Sequence, residues 1–413
     1  MSDLFWPGDE RAGSLMSSAR LLAAMTSVEA AWLEALVDTG VAPVSARHPL
    51  SELVGDADLD ALARGAEAAG NPVLGLVELL RSRVGAPDAA SWLHRGLTSQ
   101  DVLDTALVLT LVEVMDELLG QLSRQAVVLG ELVRAHRASA MVGRTLTQHA
   151  VPITFGLKAS TWLSGVLDAA DAITAVRARA ATQLGGAAGT LAAPAELARV
   201  SGRDDPPGTA WRLVEQTALA IGLAPRTPWH TNRSWVSAAG DALVGCTDAW
   251  GHLAADVATL SRPEIAELAE GSPAGGPPRG GSSTMPGKRN PILAVLVRRA
   301  ALTGPPLAAT LHLAAATTVD ERPDGAWHAE WAALRDLARR TVVAGSQTTE
   351  LLAGLQIDSD RMRATLEGLG QVAEQQSMAK VAGGEPRGDY LGAAQLLIDR
   401  VLDRSRAFTA GAP

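Results

Sequence analysis

Four stretches of this chain carry helical patterning well beyond the length of an ordinary globular helix, and that length constrains the fold more than any other feature. Residues 100–137 run from Gln100 to Arg137 with two interior glycines, Gly120 and Gly130, and no proline. Residues 153–182, 233–270 and 291–318 are patterned alike; Pro263 is placed to kink the second of these, and Gly304-Pro305-Pro306 is expected to bend or break the last. The first three reach about 30 residues or more, against a mean of about 11 or 12. Helices of that length without coiled-coil heptads predict a large bundle. Several are apolar around much of their circumference, which predicts that subunits share the bundle. Aromatic strand formers are scarce, with three Phe and one Tyr beside 10 Trp in 413 residues, so propensity also tilts toward helix. The expected fold class is all-α.

Shorter patterns flank the long ones. Residues 14–40 read as one amphipathic helix, with Leu15, Leu21, Leu22, Met25, Val28, Trp32, Leu33 and Leu36 at mostly three- and four-residue spacings. Two further helical patterns near 57–69 and 72–84 are separated by Asn71-Pro72, and Gly85-Ala86-Pro87 closes this part. One clear amphipathic helix lies near 389–404. The division expected is 1–88 as an N-terminal helical domain, 89–345 as a central long-helix domain and 346–413 as a C-terminal helical domain. Gly-rich loops interrupt the centre at 184–190 and 271–283, the latter reading as the most flexible segment of the chain.

Several function classes are disfavoured at this level. A formal net charge of −9 argues against a general polyanion binder, though not against a local cationic pocket. The single cysteine, Cys246, excludes internal disulfides and Cys-based metal clusters, and reads as a small buried apolar residue. The eight histidines are scattered with no His-x-x-x-His pair, so no metal site is expected. The N-terminal residues lack the basic-then-apolar pattern of a leader, no stretch reads as a membrane span, and the expected location is the cytoplasm.

The strongest motif is Gly281-Ser282-Ser283-Thr284-Met285-Pro286-Gly287-Lys288-Arg289-Asn290-Pro291. A glycine-rich loop can bring backbone N–H groups, the Lys288 ammonium and the Asn290 amide close to a carboxylate and can close over it. A second block, His94 to Thr105, contains Thr98-Ser99-Gln100-Asp101, which is both a helix N-cap pattern and a ready carboxylate site. A third runs from Gly143 to Pro152 and holds Arg144, Thr145, Gln148 and His149.

The first motif matches the GSSxMPxKxNP signature of the fumarase/aspartase superfamily at every fixed position, and the chain is identified as resembling that superfamily from about residue 5 to about residue 367. The resemblance implies proton transfer at a carbon α to a carboxylate, through an aci-carboxylate whose extra charge needs preorganised donors. It implies Ser282, Lys288 and His149 as the catalytic groups, with delivery of the α-proton falling to Ser282 or His149. His94, Thr98, Ser99, Thr145, Gln148, Ser283, Met285 and Asn290 are implied as substrate contacts, and Asp104 and Thr105 as supports of the site or the fold. The superfamily's second region usually reads Thr-His-x-Gln, whereas here Leu146 follows Thr145 and the histidine comes at 149. A basic leaving group benefits from an acid at that slot, while a carboxylate leaves as a stable anion with pKa of about 4 and needs none.

That departure fits a lactone-forming enzyme. Arg-Thr-x-x-Gln-His-Ala-x-Pro, the 185–190 loop, Pro228-Trp229-His230-Thr231 and Gly325-Ala326-Trp327-His328-Ala329-Glu330-Trp331 resemble bacterial 3-carboxy-cis,cis-muconate cycloisomerases. This resemblance implies addition of a substrate carboxylate across a double bond to give 4-carboxymuconolactone in protocatechuate breakdown, with no cofactor. A trianionic substrate asks for cations beyond Lys288. Arg95, Arg144, Arg233, Arg289 and Arg322 are the candidates, Arg233 first and Arg322 second. The alternatives are another elimination that releases an amine, nitro or similar group from a substituted succinate, and a catalytically silent structural relative. The resemblance further implies a homotetramer with composite sites; the 47 residues after Leu366 depart from it, being fewer than the family's usual C-terminal helical domain.

Overall fold

The computed structural model describes residues 3–272, 279–368 and 370–410; residues 273–278 of the glycine-rich loop lie outside the described residues. The helices before the first long one are α1 (Ser18–Asp38), α2 (Leu59–Ala69), α3 (Val73–Arg83) and α4 (Pro87–Trp92). The long helix α5 (Ser99–Ala135) then leads to β1 (Ala140–Thr145) and β2 (Gln148–Thr154). After these come α6 (Phe155–Arg177), α7 (Ala192–Val200), α8 (Pro206–Ala220), α9 (Ser234–Leu260), β3 (Leu268–Glu270), α10 (Ile292–Ala316) and α11 (Gly325–Ala353). The chain ends with β4 (Leu355–Ile357), α12 (Ser359–Glu367), α13 (Ala373–Val381) and α14 (Ala394–Ala410). The fold class is all-α, and the described strands form only two antiparallel pairs, β1–β2 and β3–β4.

Two compact units emerge from this order. One comprises Met1–Asp116, Thr174–Asp241 and Pro306–Arg339; the other comprises Glu117–Ile173, Ala242–Pro305 and Arg340–Pro413. In the first, α1 begins at Ser17, whose hydroxyl accepts from Arg20 N, and buries Leu22, Met25, Val28, Trp32, Leu33 and Leu36, largely against α8. Helix α8 opens with Pro206 in its first turn, and Asp205 accepts from Gly208 N. In the second unit, Trp162 and Trp250 are fully buried. Trp162 Nε1 donates to Asp256 Oδ2 at 2.8 Å and Trp250 Nε1 to Gln125 Oε1 at 2.7 Å, so each indole buries its ring without orphaning its N–H.

Three boundaries differ from the sequence pattern. Helix α9 stops at Leu260 instead of continuing to 270, because Pro263 disfavours helical backbone before it and Glu267 N turns back to Leu260 O. Helix α10 runs unbroken through Gly304-Pro305-Pro306. The prolines' own φ is helical, and buried Val297, Ala300, Ala308 and Leu311 on either side hold the helix in place. By length and composition α10 is apolar enough to cross a membrane, and 33% of its most apolar stretch is buried within the chain. Helix α6 begins at Phe155 because the preceding residues, Gln148–Thr154, pair with β1. Cys246 is fully buried in α9, and burial pushes its thiol up to about 12.

Candidate active site

In the first unit the site is organised by the start of α5. Thr98 precedes the first helical residue, Ser99, and Asp101 Oδ2 accepts from Thr98 N at 3.0 Å, so the N-cap reading of this block holds. The same carboxylate reaches the glycine-rich loop: Oδ1 accepts from Gly185 N at 2.9 Å and Gln183 Nε2 at 3.1 Å, and Oδ2 from Gly186 N at 2.9 Å. Gly185 lies so close to this cluster that a Cβ there would sit 2.6 Å from His230 Cε1 and 2.7 Å from Pro228 Cβ. Fully buried Asp101 thereby ties the helix N-terminus to the 184–190 loop, with His230 Nε2 3.3 Å from its Oδ1.

That arrangement leaves the Thr98 hydroxyl available to the surface. Arg322 Nη1 donates to Thr98 Oγ1 at 2.8 Å, which brings two of the expected substrate contacts together beside a helix N-terminus. His94, four residues earlier, has left-handed backbone at φ 61°, and its Nδ1 lies 2.6 Å from Glu29 Oε1.

Arg233 requires a correction. Expected as the first substrate cation, it is 2% exposed and fully engaged within the chain. Its Nη1 and Nη2 donate to Asp104 at 2.7 and 3.1 Å, and its Nε and Nη2 to Glu330 at 3.0 and 2.5 Å. The guanidinium also lies 5.0 Å from the Trp229 ring centroid. Burial alone would weaken its hold on the proton, but the two carboxylates overcome this and raise it further. A guanidinium claimed by two buried carboxylates supports the fold and has no free donor edge facing the surface.

In the second unit, β1 and β2 form a hairpin with register Arg144↔His149 and Thr145↔Gln148 and an irregularity at Gly143. Leu146 and Thr147 make the two-residue turn with φ of 48° and 73°, the positive-φ pair of a type I′ turn. Thr145, Gln148 and His149 flank this tip and are exposed, as is Leu146 at 95%. Below the tip, Arg144 donates to both oxygens of fully buried Glu267 at 2.9 and 2.7 Å, so this arginine also supports the structure. His149 opens onto a cavity of about 280 Å³ shared with Arg144, Glu264 and Arg361.

The signature loop belongs to the same unit. Ser282 Oγ accepts from Met285 N at 3.1 Å and Thr284 N at 3.3 Å, and donors so placed favour a negatively charged oxygen there. Asn290 donates to Gly280 O through both N and Nδ2, at 2.9 and 2.8 Å, closing the loop across the positive-φ Gly280. The loop hands over to α10, where Glu270 accepts from Leu293 N and Ala294 N; burial raises this carboxyl, partly offset by those bonds. Ser283, Met285 and Lys288 are exposed.

The sequence pattern of the lyase family matches residues 14–303. This chain belongs to the lyase family. Among its relatives, nitrosuccinate lyase of Streptomyces davaonensis is 46% identical over 357 residues, 85% of this chain and 74% of that protein. The 3-carboxy-cis,cis-muconate cycloisomerase of Bradyrhizobium diazoefficiens is 39% identical over 348 residues, 83% of this chain and 74% of that protein. The crystal structure of 3-carboxy-cis,cis-muconate lactonizing enzyme from Pseudomonas putida aligns with a TM-score of 0.81 at 29% identity, covering 96% of this chain and 97% of that one. The lyase is therefore a member of the fumarase/aspartase superfamily, as the signature loop implied. Its expected site residues are carried by both compact units: His94, Thr98, Ser99, Arg233 and Arg322 by the first, and Thr145, Gln148, His149, Ser282, Ser283, Met285, Lys288 and Asn290 by the second.

Sequence reading missed the carboxylates that hold these groups. Asp101 was visible only as part of a cap, and Glu267 and Glu270 lay in a stretch read as helix. Glu29 left a usable signal: a lone carboxylate on the apolar face of α1 between Met25 and Trp32.

Proposed function

We propose that this lyase eliminates a weakly basic anion from a substituted succinate, and that nitrite release from nitrosuccinate to give fumarate is its reaction. The observation that carries this reading is Leu146. The slot in which the superfamily usually places a histidine holds an apolar side chain at an exposed hairpin tip, so the leaving group departs without an acid beside it. Nitrite, like a carboxylate, is the anion of a fairly strong acid and meets that condition. The 46% identity to a nitrosuccinate lyase supports nitrite over a carboxylate.

In the proposed step Ser282 Oγ removes a proton from the CH2 carbon α to one carboxylate. The electron pair passes through the aci-carboxylate to form the double bond, and the C–N bond breaks. Fumarate, nitrite and the proton on Ser282 balance the atoms. The N–H groups of Thr284 and Met285 stabilise the serine oxyanion, and Lys288 and Asn290 meet the charge on the aci-carboxylate. Within the first unit, Thr98, Ser99 and Arg322 form a separate group of donors suited to a carboxylate. Elimination of this kind exchanges no electrons with a cofactor and needs none. The working form is a cytoplasmic homotetramer.

A second reading, conversion of 3-carboxy-cis,cis-muconate to 4-carboxymuconolactone, is favoured by the same absence of an acid at 146 and by the likeness to lactonizing enzymes. The two are separated by offering both compounds to wild type and Ser282→Ala. The expected result is nitrite and fumarate from nitrosuccinate, lost in the variant. Loss of carboxymuconate absorbance without nitrite formation would select the second reading, and turnover of neither by folded protein would reject both.

A further inference from the structure

Helix α1 buries one carboxylate along its otherwise apolar face. Glu29 is fully buried, its Oε1 is 2.6 Å from His94 Nδ1, and its Oε2 has no hydrogen-bond partner among the described residues. An apolar side chain like its neighbours would fill that position without the desolvation cost of a carboxylate. Around it lie the His94 ring and Arg81, which acts on Glu29 electrostatically, lies near Arg95 and donates to Leu93 O at 2.7 Å.

The backbone that carries His94 is held as firmly as its ring. Trp32, one turn beyond Glu29 on the same face, donates from Nε1 to Arg95 O at 2.7 Å. Gly96 has φ 93°, and a Cβ there would meet Pro194 Cγ at 3.0 Å and Trp32 Cζ2 at 3.3 Å. His94 stays in left-handed backbone within this clamp. A carboxylate at Nδ1 also fixes the ring's orientation and leaves Nε2 as the nitrogen turned away from Glu29.

We propose that Glu29 is a positioning residue, which sets the orientation of the His94 ring so that Nε2 faces the substrate in one geometry. The proposal rests on the reading of His94 as a substrate contact. It is tested by a double-mutant cycle of Glu29→Gln, His94→Gln and the double variant, read on kcat/KM and, separately, on melting temperature. Expected is a loss in Glu29→Gln of roughly tenfold to a hundredfold in kcat/KM, comparable to loss of an orienting partner elsewhere, with the double variant no worse than His94→Gln alone. Full activity in Glu29→Gln, or losses that multiply in the double variant, would overturn it, because a carboxylate serving only the core acts independently of His94. If wild type turns over neither candidate substrate, the proposed reaction fails by itself. The melting cycle then still decides the contact: additive shifts would overturn the pairing of Glu29 with His94.

Discussion

Replacing Arg233 by methionine tests whether this arginine serves the fold or the substrate. The side chain is 1% exposed, and its partners Asp104 and Glu330 are 0% and 2% exposed. Methionine fills much of the volume but strands two carboxylates that cannot reach water. Removal of one member of a buried ion pair costs about 3–5 kcal/mol. For a folding unit of this size that corresponds to a fall in melting temperature of about 10 °C. The loss depends on pH. Burial already raises the Glu330 carboxyl, and Arg233 holds it partly down, so without Arg233 the folded protein binds that proton still more tightly than the unfolded chain. The contribution of a raised group is full below its unfolded value and is lost as pH rises through the folded one, so the deficit of Arg233→Met is smallest in acid and widens toward neutrality. Adding Asp104→Asn and Glu330→Gln removes the stranded charges, leaves an acceptor for one of Trp327 Nε1 and Gln100 Nε2, and regains part of the loss. The assay is thermal unfolding of the three proteins between acid and neutral pH, with KM measured on those that fold. A variant that melts within 2 °C of wild type at neutral pH while its KM rises sharply would refute the argument and return Arg233 to the substrate.

Three further perturbations probe other parts of the structure. Leu146 and Thr147 both hold positive φ, where each non-glycine residue costs on the order of 1 kcal/mol, so Leu146→Asn with Thr147→Gly should stabilise the hairpin and raise the melting temperature. The same pair should lower turnover by removing the apolar group from the leaving-group side; unchanged kcat/KM would contradict the role given to Leu146. Glu270→Gln should gain on wild type as pH rises above the carboxyl's ordinary 4.5, because burial raises this group in the fold and its contribution is lost on ionisation; a melting difference flat with pH would contradict this. Gly185→Ala forces a methyl against the His230 ring and Pro228 and should cost about 1–3 kcal/mol of overpacking, seen as earlier thermal unfolding.

The helices were legible because their signal is periodic and local. The patterns at 14–40, 57–69 and 72–84 correspond to α1, α2 and α3 within a few residues, and the pattern at 100–137 is α5. The hairpin was not, since Met141 to Thr154 contains neither strict alternation nor an Asn-Gly turn. Leu146-Thr147 takes up a turn that local preference opposes, which only the surrounding structure can enforce. The fate of Arg233 was hidden for a similar reason. Asp104, Arg233 and Glu330 are more than 90 residues apart in pairs and meet only once the helices are assembled. The motif residues of the signature loop stood out because eleven consecutive positions carry them, whereas Asp101, Glu267 and Glu29 act singly.

The lyase divides its chemistry between a conserved problem and a variable one. Every reaction proposed here builds charge on a carboxylate, and the groups for that task are compact: Ser282 held by two backbone N–H groups, with Lys288 and Asn290 on the same eleven-residue loop. The leaving group is the variable, and the hairpin tip that bears on it is built differently. It is exposed, strained and supported from below by the Arg144–Glu267 pair, so side chains at 145–149 can change without disturbing the buried support. Under the proposed elimination, an apolar residue at 146 withdraws the acid that an amine would need and leaves the Ser282 loop unchanged. On the proposed reading, discrimination between nitrite and carboxylate falls to the size and charge of the groups around the tip, where His149 and Arg361 share a cavity, and not to the loop carrying Ser282.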